Sequence, residues 1–177
     1  ARKGWLFRGG DVIEMAASLK QIVFDKTGTL TIGKPLVTGI FGSNNSDQLL
    51  LFSASLEQNS RHPLAHAILQ EAQRREIQPL KAIATRTYPG SGLAGEIEGF
   101  KGTTLVGKPE WLESEGIEFN EDIKLKLKET TLLDKSLVGV AHDHQLLGFL
   151  IIDDQLRTDA SIAINRLRQQ GLKLSIL

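Results

Sequence analysis

Apolar residues along this chain switch between helical spacing, short continuous runs and alternation, and the switches delimit the elements. Asp11 caps a short helix through Ser18, with Val12, Met15, Ala16 and Leu19 on one apolar face. Residues 21–24 (QIVF) read as a buried strand. The next stretch, residues 25–35 (DKTGTLTIGKP), is dense in Thr and Gly without a helical period, so it is a loop leaving the strand's carboxyl end. Ser46 caps an apolar-rich helix over residues 47–58, and Pro63 starts a second helix running to Glu76, the two forming a hairpin broken at residues 59–62. Beyond Arg86 the period changes: Leu93, Gly95 and Ile97 alternate with smaller or charged residues, and Gly99 turns the chain into residues 100–106, an antiparallel hairpin. Short helices follow at residues 109–114 and 121–129. Strands at residues 137–141 and 146–152 are joined by a tight turn, and a helix over residues 158–170 ends at Gly171. The last residues, 172–177, read as an apolar strand of a parallel sheet, without turn, cap or tail. With an Ala-Arg-Lys start and no initiator Met, the sequence reads as cut at both ends.

Composition narrows the chemistry. The 177 residues are 41% hydrophobic, enough for one compact core or two modest ones. Lys+Arg and Asp+Glu balance at 21 each, which argues against a nucleic-acid binder, since phosphate backbones are held by clustered excess cations. No cysteine is present, which removes disulfides, zinc-thiolate sites and cysteine nucleophiles. The longest apolar stretch, residues 146–152, is interrupted by Gly148 and falls far short of the ~20 residues that span a bilayer, so this stretch of chain is expected to be soluble. No internal repeat or low-complexity segment is visible.

The loop at Asp25 carries the strongest chemical signal. An Asp at the carboxyl end of an apolar strand, followed by Lys-Thr-Gly-Thr, places a carboxylate among exposed backbone N–H groups and hydroxyls. An aspartate at its ordinary pKa of ~3.9 is ionised at neutral pH and needs no general base to attack phosphorus. Lys26 adds positive charge, Thr27 a hydroxyl for the transferred group, and Gly28 close backbone approach. A bland reading, in which Asp25 only bonds its own turn, competes with this one.

Residues 25–31 (DKTGTLT) reproduce the phosphorylation signature of P-type ATPases, and the chain is identified by resemblance as a member of that family. Related haloacid-dehalogenase-like phosphatases carry a second Asp two positions after the nucleophile; Thr27 stands there instead, and a hydroxyl is a poor proton shuttle. Ser60-Arg61-His62-Pro63 is similar to the Ser-x-His-Pro signature of the heavy-metal-transporting class. Glu57 falls where that class contacts adenine, and Gly90-Ser91-Gly92 resembles its Gly-x-Gly segment. The resemblance implies a mixed α/β and α+β fold. A parallel-sheet phosphorylation domain, residues 1–34 and 145–177, would hold an inserted antiparallel-sheet-plus-helices nucleotide-binding domain, residues 35–144. It implies ATP and Mg2+ as cofactors, with Asp25, Lys26 and Thr27 catalytic and Asp25 and Thr27 toward magnesium. Glu57, His62, Gly90 and Gly92 would hold the nucleotide. The implied parent is an integral membrane pump, copper first, with this part in the cytoplasm. Its partners would be its own transmembrane and actuator domains and a metallochaperone. The stretch itself would bind ATP without turning it over, because further magnesium-binding acids of the family lie beyond it.

Other patterns lead elsewhere. Residues 90–95 fit GxGxxG but precede a strand, not a helix, so the dinucleotide reading fails; a plain glycine-rich strand entry stays open. Residues 28–34 nearly spell a P-loop, but Pro35 replaces the magnesium-binding Ser/Thr. Lys108 departs from the Gly-Asn of the heavy-metal class and is either a phosphate contact or a solvated lysine. Asp154 and Arg157 resemble an Asp-x-x-Arg connection, with an ordinary helix-start Asp as the alternative. His66, His142 and His144 read as surface histidines. A soluble phosphatase of the same superfamily and a non-enzymatic nucleotide-binding or interaction domain are the competing functions.

Overall fold

A computed structural model describes residues 9–133 and 135–176, so the basic start and the final Leu177 lie outside the described residues. The chain divides into two compact units, residues 1–33 with 155–177 and residues 34–154.

The first unit contains α1 (Gly10–Ala17), β1 (Gln21–Phe24), the turn after it, the start of β2 (Thr31–Phe41), α6 (Ala160–Gln169) and β8 (Lys173–Ile176). Strands β1 and β8 pair in parallel from Gln21↔Lys173 to Phe24↔Ile176. After α6 the chain reverses at Gly171 (φ 80°), whose N–H bonds the Arg168 carbonyl at 2.9 Å, so β8 can start two residues later. Among the described residues only Leu30, Thr31 and Ala160 are buried in this unit. The strand over 21–24, expected to be buried, leaves Val23 49% exposed, because a two-stranded sheet has too little on its faces to cover it. The apolar face of α1 is likewise open, with Met15 61% and Leu19 51% exposed. Asp11 lies in the first turn of that helix and makes no cap.

The second unit is built on a six-stranded sheet ordered β2-β7-β6-β5-β4-β3, where β3 is Ala82–Tyr88, β4 Gly92–Ile97, β5 Thr103–Gly107, β6 Ser136–His142 and β7 Gln145–Leu156. Every pairing from β7 to β3 is antiparallel. The helical hairpin α2 (Ser46–Glu57) and α3 (Pro63–Arg74) covers one face, where Leu50, Phe52, Ile68, Ile97, Val140 and Leu150 form the larger core. Helices α4 (Pro109–Ser114) and α5 (Glu121–Leu132) cover the other, around Trp111, Leu112, Phe119 and Phe149. Alternation assigns the faces: Val138, Val140, Leu150 and Ile152 point one way, Ala141 and Phe149 the other. At the far end of α3 the carboxylate of Glu71 is held by Arg74 and Arg75 at 2.7 Å, and Arg75 reaches Asp47 at 3.2 Å, tying the helices together.

Several boundaries differ from the sequence expectation. Helix α2 is capped by Asn45, whose side chain accepts the Gln48 N–H at 3.0 Å, not by Ser46. Two strands were not expected, β2 and β3, and both are sheet edges. Pro35 is tolerated in β2 for that reason, and a bulge between Ile83 and Arg86, with Ala84 at φ 51°, breaks the alternation of β3. Residues 145–154, expected in the second part of the phosphorylation domain, belong to the second unit, because they pair with β6 from His142↔Gln145 to Ser136↔Ile152. No helix among the described residues is long and apolar enough to cross a membrane.

Candidate functional site

The loop after β1 is set by two residues with different tasks. Asp25 is still extended (φ −72°, ψ 135°) and exposed, so its carboxylate sits at the strand's end. Thr27 (φ −78°, ψ 122°) and Gly28 (φ 78°, ψ −8°) then occupy the central positions of a type II turn, the second of which needs a positive φ. A Cβ on Gly28 would meet nothing within 4 Å, so the backbone angle and not crowding calls for glycine. The turn is fastened from below by Thr31, fully buried. Its hydroxyl accepts the Gly28 N–H at 3.0 Å and donates to the Lys26 carbonyl at 3.2 Å. The Thr31 N–H bonds the same carbonyl. Sequence reasoning singled out Asp25, Lys26 and Thr27 but not this brace; the available signal was a threonine directly after buried Leu30, where a hydroxyl must find partners. The result is a carboxylate on a fixed turn beside the half-buried Lys26 and the exposed Thr27.

Asp25 and Thr27 offer one carboxylate and a hydroxyl. That set fits a magnesium ion that takes its remaining oxygens from phosphate and water, as Mg2+ commonly does. Among the described residues no group of three or more His, Cys, Asp or Glu comes together.

In the second unit the nucleotide candidates lie on two segments. Helix α2 ends at Glu57, and the Ser60 N–H bonds the Glu57 carbonyl at 2.9 Å. The His62 N–H bonds Ser60 Oγ at 3.3 Å. His62 then caps α3: its Nδ1 accepts the Leu64 N–H at 3.2 Å, and Pro63 fills the first helical position, where no N–H is needed. An accepting Nδ1 leaves the ring proton on Nε2, on an exposed side chain. Glu57 is half-buried, and its Oε2 is buried with no hydrogen-bond partner among the described residues. Burial raises the Glu57 pKa above the usual glutamate range, with the neighbouring Ser60 and His62 opposing the rise. A buried carboxylate oxygen without a donor is costly unless a ligand supplies one.

The glycines have internal reasons as well. Tyr88 to Ser91 is a tight turn, closed by the Ser91 N–H on the Tyr88 carbonyl at 2.9 Å, with Gly90 at φ 75° after Pro89. Gly92 pairs with Gly107 across β4 and β5, and a Cβ on Gly92 would fall on the Val106 carbonyl and within 2.5 Å of Trp111. Close approach of its own strand and Trp111 therefore demands glycine at 92. Three residues further along β4, Gly95 packs where a Cβ would lie 2.8 Å from Leu56, so β4 runs against the end of α2 that carries Glu57. Lys108 follows with its N–H on the Ser91 carbonyl at 2.9 Å and its side chain exposed.

Two clefts open on this unit, of about 610 and 570 Å³. Neither is lined by Glu57, His62, Gly90 or Gly92, although Leu64 and Lys108 border the second. Asp154 accepts the Lys34 N–H at 2.9 Å, and Arg157 meets Asp159 at 3.2 Å. His66 and His144 are exposed. His142, expected at the surface, is half-buried, bonded to Thr104 at 2.9 Å and packed edge-on against Phe52.

A strand-end carboxylate on a braced turn, within a chain that also forms a separate sheet-and-helix unit, places the molecule in a known class. The chain belongs to the haloacid dehalogenase-like hydrolase family, which it matches over residues 19–177. Within that class its relatives are heavy-metal-transporting P-type ATPases. The chloroplastic copper-transporting ATPase PAA2 of Arabidopsis thaliana is 33% identical over 191 residues, covering 100% of this chain and 21% of that protein. A zinc-transporting PIB-type ATPase solved in its E2.Pi state superimposes with TM-score 0.82 at 34% identity, covering 99% of this chain and 28% of that one. The catalytic domain of the CPx-ATPase CopB-B, solved in a study of its conformational changes upon nucleotide binding, gives TM-score 0.71 at 26% identity, covering 99% of this chain and 60% of that one. The chain thus spans about a fifth of the length of PAA2 (21%) and a quarter of that of a copper-exporting P-type ATPase of Archaeoglobus fulgidus (25%). The mixed architecture expected from the sequence, a parallel sheet with a separate antiparallel sheet and helices, is the one observed.

Proposed function

We propose that this chain is the ATP-binding and phosphoryl-accepting part of a heavy-metal-transporting P-type ATPase, with copper(I) the first candidate cargo. The second unit serves as the nucleotide-binding domain. The adenine amino group donates to Glu57 Oε2, the ring lies against His62, and the turn at Gly90 to Gly92 borders the nucleotide. The observation that carries this reading is the buried, unpartnered Oε2 at the end of α2. It asks for a donor, and an exocyclic amine is one.

The first unit supplies the acceptor. An Asp25 carboxylate oxygen forms a bond to the γ-phosphorus of ATP as the bond from that phosphorus to the β–γ bridging oxygen breaks. ADP leaves with the electron pair, and no proton has to be removed from the nucleophile. Lys26 and the Thr27 hydroxyl balance and orient the phosphoryl oxygens, and the brace from Thr31 keeps the turn from following the ligand. Magnesium, held by Asp25 and Thr27 together with phosphate oxygens, would neutralise charge on the transferring group. Thr27, two positions after the nucleophile, does not act as a general acid or base, so the aspartyl phosphate persists long enough to drive transport in the parent, together with its transmembrane and actuator domains. The 177-residue stretch by itself binds ATP without efficient phosphorylation. Incubation with γ-labelled ATP and magnesium tests this restriction. Little acid-stable label is expected, and strong label that disappears in Asp25→Asn would overturn it while confirming Asp25 as the acceptor.

A further inference from the structure

We propose that the cleft of about 570 Å³ bordered by α4, α5 and the start of β6 binds a compact anion carrying two or more phosphate groups, with Lys124 and Lys128 as its main contacts. Helical spacing builds one wall: Lys124, Leu127, Lys128 and Thr131 recur at i, i+3, i+4 and i+7 along α5, and all of them border the cleft. Lys126 of the same helix lies off it and bonds Glu129 at 3.2 Å. Lys108 comes in ahead of α4 and Lys135 ahead of β6, so four lysines meet there against Glu110 and Glu113. A chain whose charges cancel overall thus concentrates an excess of cations at one concave place.

These cations are weakly held by the protein itself. Lys124 meets Glu121 at 3.3 Å in an exposed pair and Lys135 meets Asp153 at 3.9 Å, while Lys108 and Lys128 have no ion pair among the described residues. Like charges at i, i+4 repel along a helix, and an anion between Lys124 and Lys128 turns that repulsion into attraction. The cleft also has apolar walls, with Leu64, Leu127 and Leu137 half-buried, and low-dielectric walls strengthen the pull on a charged ligand. A single phosphate meets few of these groups, whereas a chain of phosphates can meet lysines on more than one wall. None of Glu57, His62, Gly90 and Gly92 borders the cleft, but the Lys108 N–H bonds the Ser91 carbonyl of the glycine turn at 2.9 Å. The phosphate chain is therefore either a free polyphosphate or the tail of a nucleotide seated at that turn.

The test is an amide-shift titration of the full chain with inorganic tripolyphosphate, on wild type, Lys124→Gln/Lys128→Gln, Lys124→Arg/Lys128→Arg and an off-cleft control of equal charge, Lys101→Gln/Lys126→Gln. Shifts are expected at Lys108, Lys124, Lys128 and Ser136. The Lys124→Gln/Lys128→Gln protein should bind roughly 10-fold or more weakly, because two charge-assisted contacts are lost. The Arg variant and the control, which keep the cleft's charge, should stay within about 3-fold of wild type. No shifts at the cleft, unchanged binding in Lys124→Gln/Lys128→Gln, or an equal loss in the control would overturn the proposal. Competition with ATP separates the two sources. ATP that displaces tripolyphosphate in wild type but not in Glu57→Ala makes the ligand the nucleotide's own tail; displacement in both proteins or in neither makes it a free polyphosphate. Glu57→Ala by itself should bind tripolyphosphate as wild type does, so failure of the adenine reading and failure of the cleft are told apart.

Discussion

The two units of this chain solve different problems with similar local parts. The second unit buries Phe52, Leu50, Val140 and Leu150 completely under α2 and α3, and Phe149 and Leu112 under α4 and α5, so each sheet face has its own core. The first unit, among the described residues, buries only Leu30, Thr31 and Ala160, yet it holds the carboxylate that the proposed chemistry depends on. Its turn is made rigid by hydrogen bonds at Thr31 and a positive-φ glycine, not by a packed core. The candidate nucleotide turn is likewise fixed by hydrogen bonds, through Ser60 and the His62 cap, but it stands on the end of a helix that is itself anchored in a core.

The largest way to break this contrast is in the cores. Phe52→Ala should cost about 3–5 kcal/mol in urea unfolding, the range for a fully buried Phe, while Val23→Ala in β1 should cost less than about 1 kcal/mol because that side chain is 49% exposed. Equal costs would mean that β1 is covered as well as α2. Gly92→Ala is expected to destabilise by roughly 2–3 kcal/mol, since the new Cβ meets the Val106 carbonyl and Trp111. Gly90→Ala, in open space but at φ 75°, should cost about 1 kcal/mol. A Gly92→Ala protein of unchanged stability that had lost only nucleotide binding would reassign that glycine to the ligand.

Those two glycines show how the sequence was legible for one reason and the structure gives another. Gly90 and Gly92 stand out in a linear reading because Gly-x-Gly looks like room for a ligand, but whether the room is filled by Trp111 depends on a pairing, Gly92↔Gly107, that no local pattern reveals. The helices α2 and α3 were readable from period and caps. The edge strands β2 and β3 were not, because Gly33, Pro35 and Gly39 interrupt one and a bulge at Ala84 interrupts the other. The end of the antiparallel unit was misplaced by ten residues, since β7 gives no composition shift where it leaves the sheet partner β6. Asp25 was readable because its motif is contiguous; the brace at Thr31 needed coordinates.

Smaller effects sharpen the comparison of the two turns. Thr31→Val removes both hydroxyl bonds under the Asp25 loop and should cost about 1–3 kcal/mol, with faster amide exchange at Gly28. Thr29→Ala, exposed in the same loop, should stay within about 0.5 kcal/mol. Equal effects of the two would show that the brace does not hold the turn. At the other turn the sign reverses. Burial raises the Glu57 pKa in the folded state, so the stability linked to its protonation is full below the ordinary glutamate value of ~4.3 and is lost as pH rises through the folded value. Glu57→Gln should therefore be slightly more stable than wild type at neutral pH, with the gap closing as pH falls through the raised folded value and closed below the ordinary one. A gap that widened in acid would contradict the burial of that carboxylate.

The most direct test of the central claim is an amide-shift titration of this chain with ATP, ADP, AMP and GTP, with and without magnesium, on wild type and Glu57→Ala. The account predicts binding that prefers adenine, depends little on magnesium, perturbs Glu57, Ser60, His62 and residues 90–92, and is lost in Glu57→Ala. Shifts confined to other parts of the second unit, or binding unchanged in Glu57→Ala, would contradict it and leave Asp25 on its braced turn as the functional feature that survives.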